Sequence, residues 1–348
     1  MAVSQKEKMF FTRHLALMLK GGISLTEALD TLKDDTKSKV LKKALADILR
    51  RVSEGENLHK SLEKHDRIFN KFFRSVVRVG EESGTLEENL KYLTSSLQSE
   101  YSLQRKMITA LIYPIIIVVI ALIIAIVISL FILPKLLGLF LALGIKLPLA
   151  TKILLGMGSF LHKYSVSIIV AIVCLFLLYI ILKRIKLIRF YFHKVVLSLP
   201  FLGGINKNRN LAIFSRTFYT LLKSGLPLLD SLDICIEILP NDVYKENLIL
   251  LRVGVEGGEK ISQELKKFPK TFPPIFSQMI LVGEKTGALE ESALNLAKFY
   301  ETEVNTAFKN LSIILEPVLL ILVGLFVAFI ALAIITPIYQ FTSGLRVR

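Results

Sequence analysis

Apolar side chains recur at helical spacing along most of this chain. Phe11, Leu15, Met18 and Leu19 fall at i, i+4, i+7 and i+8, and Phe214, Phe218, Leu221 and Leu222 repeat the stripe. Leu41, Leu45, Ile48 and Val52 form a second stripe, mirrored by Tyr244, Leu248, Leu251 and Val255, and Leu86, Leu90, Leu93 and Leu97 form a third. One-sided stripes at this period mark amphipathic helices packing into a bundle. No alternating strand pattern of any length appears, so the pattern predicts an all-α protein. The breaks agree. In "KGGISLTEAL" a helix ends at Gly21-Gly22, where glycine takes the left-handed conformation, and Ser24 with Glu27 opens the next as a capping box. Pro227 replaces Ser24 in the later copy and suits a helix start through its fixed φ.

Three stretches lose their polar face altogether. No charged side chain occurs between Lys106 and Lys135, and the core Ile112–Leu133 is almost wholly Ile, Val, Leu and Ala. Pro317–Leu345 is likewise uncharged, and Tyr164–Leu182, between two lysines, is shorter but still long enough. About 20 apolar residues cross a bilayer, so three transmembrane helices are predicted. Residues 1–10 lack the apolar core of a signal peptide, which leaves the N-terminus expected in the cytoplasm.

Shifting the chain on itself by 203 residues aligns it without a gap. Phe11 falls on Phe214, Arg13 on Arg216, Gly22 on Gly225, Gly80-Glu81 on Gly283-Glu284, Pro114 on Pro317 and Pro134 on Pro337. A period held over such a distance indicates duplication. Each unit is a polar helical part followed by one span. Both polar parts share a side of the membrane only if an unpaired span returns the chain, and the 164–182 run has no partner in the repeat. The expected organisation is therefore two homologous cytoplasmic six-helix bundle domains, 1–106 and 184–310, with transmembrane helices at 107–134, 164–183 and 311–340. An external loop, 135–163, and an external tail, 341–348, complete this all-α integral membrane protein. Prolines 134 and 337 are expected at the outer ends of their spans.

Composition supports that reading: of 348 residues, 53% are hydrophobic, too many for an ordinary soluble domain. Lys and Arg number 44 against 29 acids, yet the excess gathers beside the spans, at Arg105, Lys106, Lys183, Arg184, Lys186 and Arg189. Such flanks fit the cytoplasmic face and anionic lipid headgroups better than a direct nucleic-acid partner. Cys174 and Cys235 have no cysteine or histidine neighbour at metal-ligand spacing, and the five histidines form no HExxH. "GEKTG" at 283–287 echoes a phosphate loop, but Glu284 interrupts it. No catalytic, cofactor-binding or metal residues are assigned, no cofactor is expected, and the chain is not read as an enzyme.

Two acidic turns remain, "GEESG" at 80–84 and "GEKTG" at 283–287. Two readings stand. In one, each is a capped helix–turn–helix joint: Gly84 or Gly287 makes the turn, Thr85 or Thr286 accepts from the new helix's amides, and the following acids favour its positive end. In the other, the turns form an acidic docking surface or cation site, built from Gly80, Glu81, Glu82 and Gly84 with Gly283, Glu284, Lys285 and Gly287. The reversal Glu284→Arg is then expected to weaken assembly and leave the protein folded. Tyr113, Pro114, Glu316 and Pro317, where two spans enter the bilayer, are further candidates, since an acid near a membrane invites a functional role.

"FTRHLALMLKGGISLTEAL" and "FSRTFYTLLKSGLPLLDSL", each followed by G-E-x-[ST]-G-x-L-E, with "ALIYP" and "LEPVLLILVG" before the spans, resemble the type II secretion F-domain proteins. The resemblance covers essentially the whole chain. It implies an inner-membrane platform of a type II secretion or type IV pilus machine, without catalysis. The implied partners are a cytoplasmic hexameric motor ATPase, pilin or pseudopilin subunits, other inner-membrane assembly proteins, further copies of the chain, and lipid. An oligomeric small-molecule membrane transporter is the alternative; the spans lack the row of ionisable or interrupted positions that a solute path requires.

Overall fold

The computed structural model describes residues 3–128, 185–199 and 202–345, with scattered positions and short runs between 131 and 182. Regular structure among the described residues is helical. Six helices come first: α1 (Gln5–Lys20), α2 (Leu25–Asp35), α3 (Lys39–Ser53), α4 (Leu58–Glu63), α5 (Lys71–Glu82) and α6 (Leu86–Val127). Then follow α7 (Lys186–Ser198), α8 (Leu202–Lys223), α9 (Leu228–Ile238), α10 (Asp242–Glu256), α11 (Ile261–Lys266), α12 (Pro274–Thr286) and α13 (Leu289–Leu345). The chain divides into two compact units. One comprises Met1–Lys106, here the first half, with Arg189–Ala307, the second half; the other comprises Met107–Ile188 with Phe308–Arg348.

Local chemistry sets the helix ends. The full capping box forms at Ser4 and Glu7, opening α1, while at Ser24 the hydroxyl accepts from the Glu27 amide. Gly22 follows α1 at φ +81° and Gly225 follows α8 at φ +89°. The amide of the residue after each glycine bonds back five residues, Ile23 to Met18 and Leu226 to Leu221, which closes both helices in the same way. Pro227 is the cap of α9, one place before its first helical residue.

Sequential helices pack on one another in both halves, α1 on α2, α2 on α3, α3 on α4 and α4 on α5, then α8 on α9 through to α11 on α12. The same three phenylalanines centre each core. Phe11 and Phe69 lie 5.8 Å apart and Phe69 and Phe73 4.8 Å, and their equivalents Phe214, Phe272 and Phe276 lie 5.4–5.9 Å apart. Tyr244 stands where the first half has Leu41; fully buried, its hydroxyl donates a hydrogen bond to the Thr271 carbonyl at 3.0 Å. Burial pushes this phenol well above its ordinary pKa.

In the other unit, α6 and α13 carry apolar side chains outward; Ile116, Ile120, Leu320 and Leu325 are each at least 48% exposed. These two helices are long and apolar enough to cross a membrane. Pro114 and Pro317 lie inside them, not at a start, and α13 continues past Pro337 to Leu345. Pro337 therefore lies inside the helix and does not end it: a proline removes one amide bond, and a membrane helix accommodates the loss. Pro134, most of the loop 135–163, half of the expected span 164–183 and residues 346–348 lie outside the described residues.

Candidate functional site: the two acidic turns and the seam between halves

Each residue of the repeated turn has a distinct physical task. Gly80 is buried against the start of α6; a Cβ there would lie 2.9 Å from the Leu86 Cα and 3.0 Å from the Asn89 side chain. Gly283 is packed in the same way, with the Ser292 Oγ at 2.6 Å and the Leu289 Cα at 2.9 Å from such a Cβ. Both glycines therefore let two helices approach backbone to side chain. Gly84 and Gly287 take φ +73° and +70°, the left-handed corner that reverses the chain.

The acid after the first glycine caps a different helix. One oxygen of Glu81 accepts from the Leu58 amide at 2.6 Å, and the other accepts from the His59 amide at 3.0 Å and lies 2.7 Å from its Nδ1. These are the first residues of α4, a six-residue helix whose own N-cap, Asn57, makes no side-chain bond. Glu284 does the same for α11, accepting from the Ser262 amide at 3.3 Å and from the Ser262 hydroxyl. A carboxylate at a helix N-terminus satisfies orphan amides and meets the positive end of the dipole. With Glu81 side-chain exposure at 19%, this acid is spent on the fold. Reversal at Glu284 would accordingly remove a cap as well as change a surface charge.

What the turns leave at the surface is Glu82, Ser83, Gly84 and Thr85 in one copy and Lys285, Thr286 and Gly287 in the other. The two Glu82-type positions thus carry opposite charge. The expected cap at Thr286 does not form: its hydroxyl donates to the Val282 carbonyl within α12, and Ser83 likewise donates to Val79. Among the described residues no group of three or more His, Cys, Asp or Glu is arranged to hold a metal. Tyr113, Glu316 and Pro317 are exposed on the helices of the other unit, and Pro114 is half-buried.

Sequence reasoning missed the seam within the first unit, where α5 packs against α8 and α9. Lys71 pairs with Glu237 at 3.3 Å, and Arg216 makes a bidentate contact with Glu301 at 2.7 and 2.8 Å, an acid that also accepts from Ser99 of the first half. A cavity of about 340 Å³ lies there, lined from one half by Phe72, Leu97 and Glu100 and from the other by Arg209, Ile213 and Thr217. Burial raises the Glu100 pKa, opposed by Lys8 and Arg209, and burial lowers those of Lys8 and Arg209, opposed by Glu100. No local motif announces such a seam, because its members come from segments more than a hundred residues apart.

Residues 11–134 and again 214–337 match the family described as Type II secretion system (T2SS), protein F. The Type IV pilus assembly protein PilC of Thermus thermophilus is 32% identical over 343 residues, covering 99% of this chain and 84% of that protein. The Type II secretion system protein F of Vibrio cholerae is 30% identical, with 98% and 84% covered. The PilC of Pseudomonas aeruginosa is 29% identical, with 95% and 88% covered.

Proposed function

The chain belongs to the Type II secretion system protein F family, and from that premise we propose how it works. It is an inner-membrane platform protein that links a cytoplasmic motor ATPase to the assembly of pilin-like subunits, and it is not an enzyme. The observation that carries this reading is the double family match, each copy running from amphipathic helices into an apolar one. A platform of this kind needs a polar part for the motor to grip and apolar helices beside which subunits leave the bilayer.

In the finer reading, two homologous six-helix bundles, 1–106 and 184–310, face the cytoplasm. Three transmembrane helices, at 107–134, 164–183 and 311–340, put the loop 135–163 and the tail 341–348 outside. The repeated spacing of core phenylalanines and glycine corners in both halves supports the paired bundles. Motor contact falls at the exposed residues of the acidic turns, Glu82 and Lys285, since Gly80, Glu81, Gly283 and Glu284 are occupied inside the fold. Tyr113, Pro114, Glu316 and Pro317, at the level where apolar side chains begin, are where a pilin or pseudopilin helix meets the platform. Other inner-membrane assembly proteins and further copies of the chain complete the machine.

Deleting the chain while motor and pilin remain at normal levels is expected to abolish filaments, and supplying it in trans to restore them. Filaments assembled in its absence would refute the platform role.

A further inference from the structure

The seam between the halves is built head to tail, and that leaves each of its two surfaces repeated once without cover. In the seam, the α5–α6 face of the first half meets the α8–α9 groove of the second. Phe72 and Ser96, on the face, are 5% and 7% exposed, and a Cβ on Gly225 would lie 3.8 Å from Val79. Thr217, Thr220 and Leu226, along the groove, are 5%, 0% and 4% exposed.

The equivalent positions in the opposite halves are open. On the second half's own face, Ile275, Val282 and Phe299 stand at the places of Phe72, Val79 and Ser96, and are 48%, 57% and 44% exposed. In the first half's own groove, Phe10, Leu17 and Ile23 stand at the places of Ile213, Thr220 and Leu226, and are 41%, 55% and 36% exposed. Beside Phe10, with Lys6, His14 and Thr36, lies an open groove of about 430 Å³. One position weighs most: where the covered face has Ser96, the open face has Phe299, 44% exposed among the described residues. Duplication alone leaves exposed surfaces; an exposed aromatic side chain beside Ile275 and Val282 costs solubility unless it is buried.

We propose that copies of this chain dock head to tail, the Ile275–Val282–Phe299 face of one seated in the Phe10–Leu17–Ile23 groove of the next. The contact repeats between chains the one already made within the chain. Charge follows the same pattern. Glu100 faces Arg209 in the seam, and their equivalents are Glu303 on the open face, exposed, and Lys6 in the open groove. The Lys71–Glu237 pair is not repeated, because Pro274 stands at the Lys71 position, so the contact between chains is the more apolar of the two. Each chain offers one face and one groove, the heterologous arrangement that builds rings or open rows, not two-fold dimers. The proposal rests on the self-association stated above only for its occupant; the geometry is that of the halves.

Two full-length variants in a Cys174→Ser background, one carrying Ile23→Cys and the other Val282→Cys, are co-expressed with different tags and oxidised in native membranes. Mixed disulfide is expected at about ten times the level either variant gives alone, because a head-to-tail contact brings position 23 to position 282 and never a position to its own copy. Mixed product no greater than the single-variant controls, with both variants melting as the parent does, would overturn the proposal. Equal cross-linking of one variant to itself would also overturn it, by showing a two-fold contact. Lys6→Glu and Glu303→Lys are each expected to lower the yield several-fold and together to restore it; failure of the pair to restore would remove the charge match. Head-to-tail product in a chain that binds no motor would sink the platform reading alone, and motor binding without that product would sink this inference alone.

Discussion

The two halves of the first unit share their interiors and differ in their exteriors. Inside, Phe11, Phe69 and Phe73 correspond to Phe214, Phe272 and Phe276, the Gly80 contact to that of Gly283, and the Glu81 cap to that of Glu284. Outside, α3 carries a charged lattice, Asp47 pairing with Arg50, Arg51 and His65, where α10 exposes Ile249, Leu250 and Val253. The lesson is that the fold constrains both copies equally, whereas each surface answers to whatever lies against it. A repeated motif therefore marks a structural need first, and a functional one where its copies diverge.

The sharpest test of the shared interior is Gly283→Val. With the Leu289 backbone 2.9 Å from a Cβ, overpacking is expected to cost about 1–3 kcal/mol, and Gly80→Val a similar amount. Thermal unfolding of the purified chain in detergent reads both. A silent substitution at either site would break the equivalence of the halves.

Next come the caps, where the halves should separate. Glu81 serves two amides and lies on the His59 ring, whereas Glu284 serves one amide and a hydroxyl. Glu81→Gln is expected to cost about 1–2 kcal/mol and Glu284→Gln about half of that. Hydrogen exchange should quicken at Leu58 and His59 in the first variant and at Ser262 in the second. Equal effects would mean that the extra partners of Glu81 contribute nothing.

Acid should also distinguish the halves. The hydrogen bond from Arg51, then that from Arg50, holds the Asp47 carboxyl down at about 2, from an ordinary 3.8. Between those values the unfolded chain binds the proton and the folded one does not, so the stability is whole above about pH 4 and is lost as pH falls towards 2. Leu250 occupies the equivalent place in the second half. Exchange at α3 amides is expected to quicken over that interval in the parent and to lose this step in Asp47→Asn. An unchanged step in the variant would assign it to another group.

Much of this was legible in the chain, and the reason is locality. Stripes such as Phe11–Leu19 and corners such as Gly22 and Gly84 depend on neighbours within one or two turns, so the sequence carries them in full. The Glu81 cap was not legible, because its amides lie 22 and 23 residues away, while Asn57, at the N-cap position itself, makes no side-chain capping bond. Thr286 misled for the converse reason: a hydroxyl near a helix start has two partners within reach, and it took the carbonyl behind it. Nor does a pattern of apolar residues say which stripe will be covered, so Phe72 and Ile275 look alike until the seam is seen. The smallest predicted effect follows from this: Thr286→Ala, which removes only that backward bond, should change stability by no more than about 0.5 kcal/mol. A larger loss on thermal unfolding would restore Thr286 as a cap.

The most direct test of the platform role is photo-cross-linking in living cells from Glu82 and Lys285, the exposed positions of the two turns, with mass spectrometry of the products. The account predicts a motor ATPase joined to the chain at one or both positions. Products containing only further copies of the chain would contradict motor docking at the turns and make them a self-association or structural feature.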